Sequence, residues 1–285
     1  MRETSLSINV GDDRFHVLRF EAGEAPAAEA PDAAARDIVL LHGWPNSGRV
    51  WRPLADALLL AGQGYRLFAP DLRGFGDSDP GDPSRYRCAG FADDVGEITS
   101  ALGLTRYALV GHSMSGKIAA LLAARRPPGL AALVLIAPSP LTVAAPTPEE
   151  KKAAQRDAQG DPEKTASLVL GMAARPLPAD AQAMLVEDGL RAAPAAWRGW
   201  IDTMRDEDFA AEAGRVAAPT LVVGGAGDLL RSEEVLRRDV ADRIPGARYA
   251  SLPAVGHLPH LEDPAALALL LANFLDHCLP EGATP

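Results

Sequence analysis

Two serines, Ser113 and Ser115, stand two residues apart in the stretch GHSMSGK, between an apolar run and a helical pattern. A serine hydroxyl is inert until a base takes its proton and a third group orients that base. The run RYALVG before it reads as a buried strand, and SGKIAALLAA after it reads as a helix. A sharp strand-to-helix turn lifts one side chain into the open and crowds the backbone on either side, so the flanking positions must be small. Gly111 and Ser115 meet that size requirement, which leaves Ser113 as the exposed candidate nucleophile and makes the pattern G-x-S-x-S. The competing reading of a serine before a helix is a helix N-cap.

A base is available in AVGHLPHLEDP, where His257 follows Gly256 between the last strand pattern and the last helix pattern. The end of a strand in an open α/β sheet is where ligands gather. His260, one turn later, is the less favoured alternative, and His257 could also be an ordinary loop histidine. An acid must hold the imidazole in one tautomer. Asp228, in the Gly-rich loop of LVVGGAGDLL, supplies it; the competing reading is a turn aspartate. The alternative position after LAALVLIAP offers only Pro138, Ser139 and Pro140, none of them acidic. An oxyanion formed at Ser113 needs two N–H donors. Met114, directly after the serine, offers one. HGWPNS offers the other through Trp44, with Gly43 allowing close backbone approach and Pro45 lacking an N–H.

These residues need a frame. SLSINV and RFHVLRF alternate apolar and polar around GDD, which predicts an opening hairpin. Residues 21–35, rich in Ala, Glu and Pro, read as a surface loop. Strand and helix patterns then alternate: DIVLLHG, RVWRPLADALLLAG ending at Gly62, YRLFAPD, FADDVGEITSALG, RYALVG, SGKIAALLAARRP ended by Pro127, and LAALVLIAP. Asp93 and Asp94 are expected in the first turn of their helix, where carboxylates suit the dipole. PTLVVGG, SEEVLRRDVADR, ARYASL and DPAALALLLANFLDHCL continue the series after a gap. This rhythm predicts an α/β fold, a mostly parallel sheet with helices on both faces. Residues 140–216 hold no strand pattern and several helical ones. They are expected to form a helical cap inserted into a core of residues 1–139 and 217–285. Trp197, Trp200, Ile201 and Met204 share one helix face. With Phe209, and with Met172 and Met184 as further candidates, Trp197, Trp200 and Met204 could line an acyl pocket; the plainer reading is that they pack on the core.

Taken together and in this order, HGWP, DLRGFGDSD, GHSMSG, GGAGD and GHLPHLEDP resemble the α/β-hydrolase superfamily over nearly the whole chain. The resemblance implies eight strands, a cap over the site, a Ser-Asp-His triad and no cofactor or metal. Asp71 and Arg73 in DLRGFGDSD are read as structural. HGWP is similar to the epoxide-hydrolase and haloalkane-dehalogenase motif, but those enzymes place Asp where this chain has Ser113, which argues against both activities. The expected activity is carboxyl-ester hydrolysis of a small-molecule acyl substrate. The alternatives are a lactonase, a cofactor-free perhydrolase or haloperoxidase-like enzyme, and a ligand-sensing receptor with a slow triad.

Bulk properties exclude other classes. The 285 residues are 47% hydrophobic, which suits a folded domain with a sizeable core. A formal net charge of −10 argues against nucleic-acid and anionic-membrane partners. Cys88 and Cys278 match no metal or redox spacing and are expected as free thiols. No signal-like or membrane-length apolar run is present, so the expectation is a cytoplasmic protein; a monomer or homodimer is expected.

Overall fold

The computed structural model describes residues 1–23, 36–60, 64–143 and 147–279. Most of the loop expected at 21–35 and the helix stop expected at Gly62 lie outside these residues. Eight strands run β1 Arg2–Val10, β2 Asp13–Glu21, β3 Arg36–Leu41, β4 Tyr65–Pro70, β5 Tyr107–His112, β6 Leu130–Ile136, β7 Thr220–Gly225 and β8 Arg248–Leu252. They form one sheet in the order β1-β2-β4-β3-β5-β6-β7-β8. The β1–β2 hairpin and its junction with β4 are antiparallel, and all other pairs are parallel. The expected eight-stranded, mostly parallel α/β sheet is therefore present.

Burial follows position in the sheet. Edge strand β1 alternates exposed and half-buried residues, whereas β3, β5 and β7 are buried throughout, as strands covered on both faces must be. Helices α1 Arg52–Leu60 and α11 Pro264–Cys278 cover one face, with Leu54, Leu58, Leu271 and Phe274 in its core. Helices α2 Cys88–Ala101 and α3 Met114–Ala124 cover the other through Phe91, Val95, Ile98 and Ile118. Each such side chain contributes about 1.5–3 kcal/mol by leaving water.

The chain leaves β3 for β4 on one side and returns to β5 on the other. The strand order therefore reverses between β3 and β5, the place where an open α/β sheet leaves a crevice at its C-terminal edge. Trp44 follows β3 and Ser113 follows β5.

Residues between β6 and β7 contain α4 Glu149–Asp157, α5 Pro162–Leu170, α6 Ala179–Arg191, α7 Pro194–Asp202 and the single turn α8 Ala210–Ala213. Helices α9 Glu233–Asp239 and α10 Pro259–Glu262 complete the series. None of the described helices is long and apolar enough to cross a membrane. Cys88 and Cys278 are free thiols.

The start of α2 corrects one expectation. The helix begins at Cys88, so Asp93 and Asp94 lie beyond its first turn. They meet arginines instead of the helix dipole. Asp93 accepts from Arg125 at 2.6 Å, and buried Asp94 takes a two-pronged contact from Arg73, Nε and Nη2 each at 2.8 Å, plus Arg85 at 2.6 Å. Arg73 also reaches Asp13 at 2.6 Å. A charge as deeply buried as Arg73 is tolerable only with such partners. Helix α3 likewise stops at Ala124, before Pro127, as Arg126 turns to a φ of +55°.

Candidate active site

The turn from β5 into α3 holds Ser113 at φ +52° and ψ −111°, a conformation that a side chain resists. The surrounding backbone enforces it. Ser113 N–H donates to the Ile136 carbonyl at 2.9 Å, and its own carbonyl accepts from Gly116 N–H at 3.1 Å and Ser139 N–H at 2.9 Å. The crowding around the turn is literal. A Cβ on Gly111 would lie 2.4 Å from the Ser115 carbonyl oxygen. Ser115 is fully buried and does more than stay small: its hydroxyl donates to the His42 carbonyl, tying α3 to the loop after β3.

Three side chains converge here from three different strand ends. His257 Nε2 lies 2.8 Å from Ser113 Oγ, and His257 Nδ1 lies 2.7 Å from Asp228 Oδ2. A carboxylate only accepts, so Nδ1 carries the imidazole proton and Nε2 is left as acceptor for the hydroxyl. The second Asp228 oxygen accepts from the N–H groups of Leu230 at 2.7 Å and Arg231 at 3.0 Å, which fixes the carboxylate plane. Such an array can take a proton from Ser113 as its oxygen attacks and return it to a leaving group.

The other histidines separate cleanly. His260 is fully buried against Trp51 and His112, with ring centroids at 4.7 Å and 4.6 Å, and neither of its nitrogens has a partner among the described residues. Burial, with His257 nearby, pushes its pKa down to about 3. His112 donates from Nε2 to the His257 carbonyl at 2.7 Å. Burial and its histidine neighbours hold His112 neutral. His42 Nε2 accepts from Leu72 N–H at 3.0 Å, so its Nδ1 carries the proton and donates to the Gly43 carbonyl at 3.0 Å. Gly43 is required by close approach: a Cβ there would sit 2.5 Å from His112 Nδ1 and 3.2 Å from Ser113 Cβ.

The His257 loop has a fastening that sequence reading missed. Glu262 accepts from Gly256 N–H at 2.8 Å and Leu258 N–H at 2.9 Å, on either side of His257. The same carboxylate accepts from Ala174 N–H at 2.9 Å and Arg175 N–H at 3.2 Å in the inserted segment. His257 N–H itself donates to the Met172 carbonyl at 3.0 Å. In GHLPHLEDP, Glu262 looks like a charge before a helix; nothing local reveals that two of its four donors come from residues 174 and 175. Asp71 plays a similar part beneath the Trp44 loop. It accepts from Gly48 N–H at 2.6 Å, Asp77 N–H at 2.8 Å and His16 Nδ1 at 2.8 Å.

Ser113, His257 and Trp44 open onto a cavity of about 710 Å³. Trp44 lines this cavity together with Ser113, and Met114 begins α3, whose first N–H groups have no acceptor within the helix. Of the apolar residues expected in an acyl pocket, Trp200 and Met172 line the cavity. Trp197, Met204 and Phe209 do not: Trp197 and Met204 are fully buried in the core cluster, Phe209 packs against it, and Met184 packs on the opposite cluster. Helix α7 ends at Asp202, so Met204 falls in the following turn and not, as expected, on one helix face with Trp197, Trp200 and Ile201. Trp197 packs tilted against Trp44 with ring centroids 4.6 Å apart, and its indole N–H donates to the Gln155 carbonyl at 2.8 Å.

Comparison with known proteins places this geometry. Residues 38–196 match the family model described as alpha/beta hydrolase fold. The "Putative carbamate hydrolase RutD" of Klebsiella pneumoniae is 30% identical over 89% of this chain and 96% of its own length. The pimeloyl-[acyl-carrier protein] methyl ester esterase of Aromatoleum aromaticum is 32% identical over 83% of this chain and 97% of its own. The structure of an esterase from Exiguobacterium antarcticum superposes with a TM-score of 0.83 at 22% identity, covering 96% of this chain and all of that one, a likeness of fold. With the sheet order, the turn at Ser113 and the matched sequence in agreement, this chain belongs to the alpha/beta hydrolase fold family.

Proposed function

We propose that the protein is a serine hydrolase of carboxylic esters. The observation that carries this reading is the continuous relay from Asp228 through His257 to Ser113, with both hydrogen bonds shorter than 3 Å. Ser113 Oγ attacks the ester carbonyl while His257 Nε2 takes its proton. The carbonyl electron pair moves onto oxygen, where the N–H groups of Trp44 and Met114 receive it; loss of one such donor typically costs about 10²–10³ in rate. Collapse of this intermediate expels the alcohol, which receives the proton from His257, and leaves an acyl group on Ser113. Water then gives its proton to His257, attacks the acyl carbon and releases the acid, restoring Ser113.

The full-length relative named for a methyl ester supports carboxylic esters as the substrate class. We assign residues 140–216 the part of the cap, because Met172, Trp200 and Arg205 from that segment wall the cavity over Ser113. The test is multiple-turnover hydrolysis of p-nitrophenyl esters of graded acyl length, with Ser113→Ala in parallel. A loss of about 10⁴-fold or more in kcat is expected. Equal turnover by the Ser113→Ala protein would overturn the assignment.

A further inference from the structure

The chain as a whole is acidic, with a formal net charge of −10. The cavity over Ser113 is lined in the opposite sense, by Lys151, Lys164, Arg205 and Arg231 against Asp157 and Asp206. Several of these charges are already spent. Asp206 pairs with Lys152, and Lys164 lies 3.7 Å from Asp161. Lys151, Arg205, Arg231 and the exposed Asp157 remain, an excess of positive charge, and none of the three cations makes an ion pair with a carboxylate among the described residues.

Their partners are neutral. Arg205 Nη1 donates to the Gln155 side-chain oxygen at 2.8 Å, and its guanidinium lies 5.5 Å from the Trp200 ring centroid. Its main-chain carbonyl accepts from the buried Lys117 ammonium at 3.0 Å, so the turn carrying Arg205 is anchored to the helix that begins beside Ser113. Arg231 donates from Nη1 to the Leu230 carbonyl at 2.8 Å and from Nη2 to Ser139 Oγ at 3.2 Å, while its Nε is shut away from solvent without an acceptor. Burial lowers the pKa of all three. The positive charge of Arg231 lowers those of Arg205 and Lys151 further, and that of Arg205 also acts on Lys151; Asp228 acts on Arg231, and Asp206 and Asp202 on Arg205, in the opposite sense without reversing the fall, and Arg205 ends at about 10. Cations drawn together and partly desolvated without a directly paired carboxylate cost stability that an anion joining them would return.

The place of that anion is set by Ser139. Its N–H holds the Ser113 carbonyl at 2.9 Å, and its hydroxyl holds Arg231. One residue thus separates the nucleophile's backbone from a guanidinium. Arginine pairs with carboxylate through two parallel hydrogen bonds, which gives direction as well as charge. We infer that the substrate is an ester that itself carries a carboxylate, such as a half-ester of a short dicarboxylic acid, held by Arg231 and Arg205 with Lys151 at the cavity wall while its ester carbonyl meets Ser113. This inference rests on the reading of Ser113 as the nucleophile.

The test compares the monomethyl esters of succinic, glutaric and adipic acids with the methyl esters of the corresponding monoamides, which match them in size and lack the charge. Methanol release is followed for the wild type, Ser113→Ala, Lys151→Gln and the double variant Arg205→Gln/Arg231→Gln. For at least one chain length, kcat/KM for the acid should exceed that for the amide by about tenfold or more, mainly through KM. The ratio should collapse in the double variant, narrow in Lys151→Gln, whose side chain is exposed and whose fold is not at risk, and narrow in the wild type with about 0.5 M potassium chloride. Ser113-dependent turnover at equal rates for acid and amide, unmoved by the substitutions, would overturn the inference and leave the esterase reading intact. Absence of Ser113-dependent turnover with every ester would sink the esterase reading instead. Calorimetric titration of glutarate then decides the charge reading by itself: binding that weakens in the double variant supports an anion pocket, and no binding overturns it.

Discussion

The end of the sheet and the segment inserted above it hold their polar groups in opposite ways. Ser113, Asp228 and His257 project from short loops after β5, β7 and β8, and each side chain is joined to the next with both bonds under 3 Å. Across the cavity, Lys151 and Arg205 come from inserted residues on longer side chains and meet no carboxylate among the described residues. The first arrangement gives fixed geometry, which a reaction needs because small misplacements of reacting atoms cost large factors in rate. The second leaves charge uncompensated, which suits recognition because a ligand can supply what the protein withholds. Glu262 and Met172 are the seams between the two regions, since each binds backbone on both sides or spans them directly.

The sharpest break of this comparison is Asp228→Asn. Size and packing are kept, but an amide can donate as well as accept, so the imidazole is no longer held with its proton on Nδ1. We expect kcat to fall by about 10⁴ with KM little changed; a fall below tenfold in steady-state kinetics would mean that the relay is not what drives the reaction.

A smaller effect is expected at the seam. Glu262→Gln keeps one oxygen to serve four backbone donors at Gly256, Leu258, Ala174 and Arg175. Loosening on both sides of His257 should lower kcat by about tenfold, and an unpaired N–H costs about 1–3 kcal/mol of stability. Glu262 acts through His257 and not on substrate, so kcat should fall with KM nearly constant. A rise in KM alone would show that the seam serves the pocket wall and not the relay.

The smallest effect lies beneath the site and is a matter of stability alone. The Asp71 carboxylate beside His16 raises the histidine's pKa above its ordinary 6.5, chiefly through their hydrogen bond. The folded protein therefore holds a proton there that the unfolded chain has released, and the pair's contribution is present below pH 6.5 and is lost as pH rises through the folded value. Thermal melts should show a modest fall in Tm over that window, absent in His16→Asn. The same slope in both proteins would place its origin elsewhere.

Much of this molecule was legible in residue order. Continuous apolar runs named the inner strands, and alternation named the opening hairpin, because both patterns depend only on which neighbours along the chain meet water. The need for small residues around Ser113 was readable for a similar reason: steric crowding at a turn is local. The nearest failures were also local. The start of α2 was placed too late because Asp93 and Asp94 resemble dipole partners, when arginines far away in sequence take them.

What residue order could not decide was which groups meet across the sheet. Spacing offered both His257 and His260, and only the strand order brings the first to 2.8 Å from Ser113 while burying the second without partners. Helical periodicity grouped Trp197, Trp200 and Met204 on one face, but α7 stops at Asp202 before Met204, and only Trp200 lines the cavity, because a helix packed in a corner has two neighbours and periodicity names just one. Glu262, the hydroxyl of Ser115 and the unpaired cations were invisible for the same reason. Each draws part of its role from partners tens of residues away, such as Ala174 for Glu262, His42 for Ser115 and Ser139 for Arg231, and those distances along the chain are closed by the tertiary fold, which no local pattern encodes.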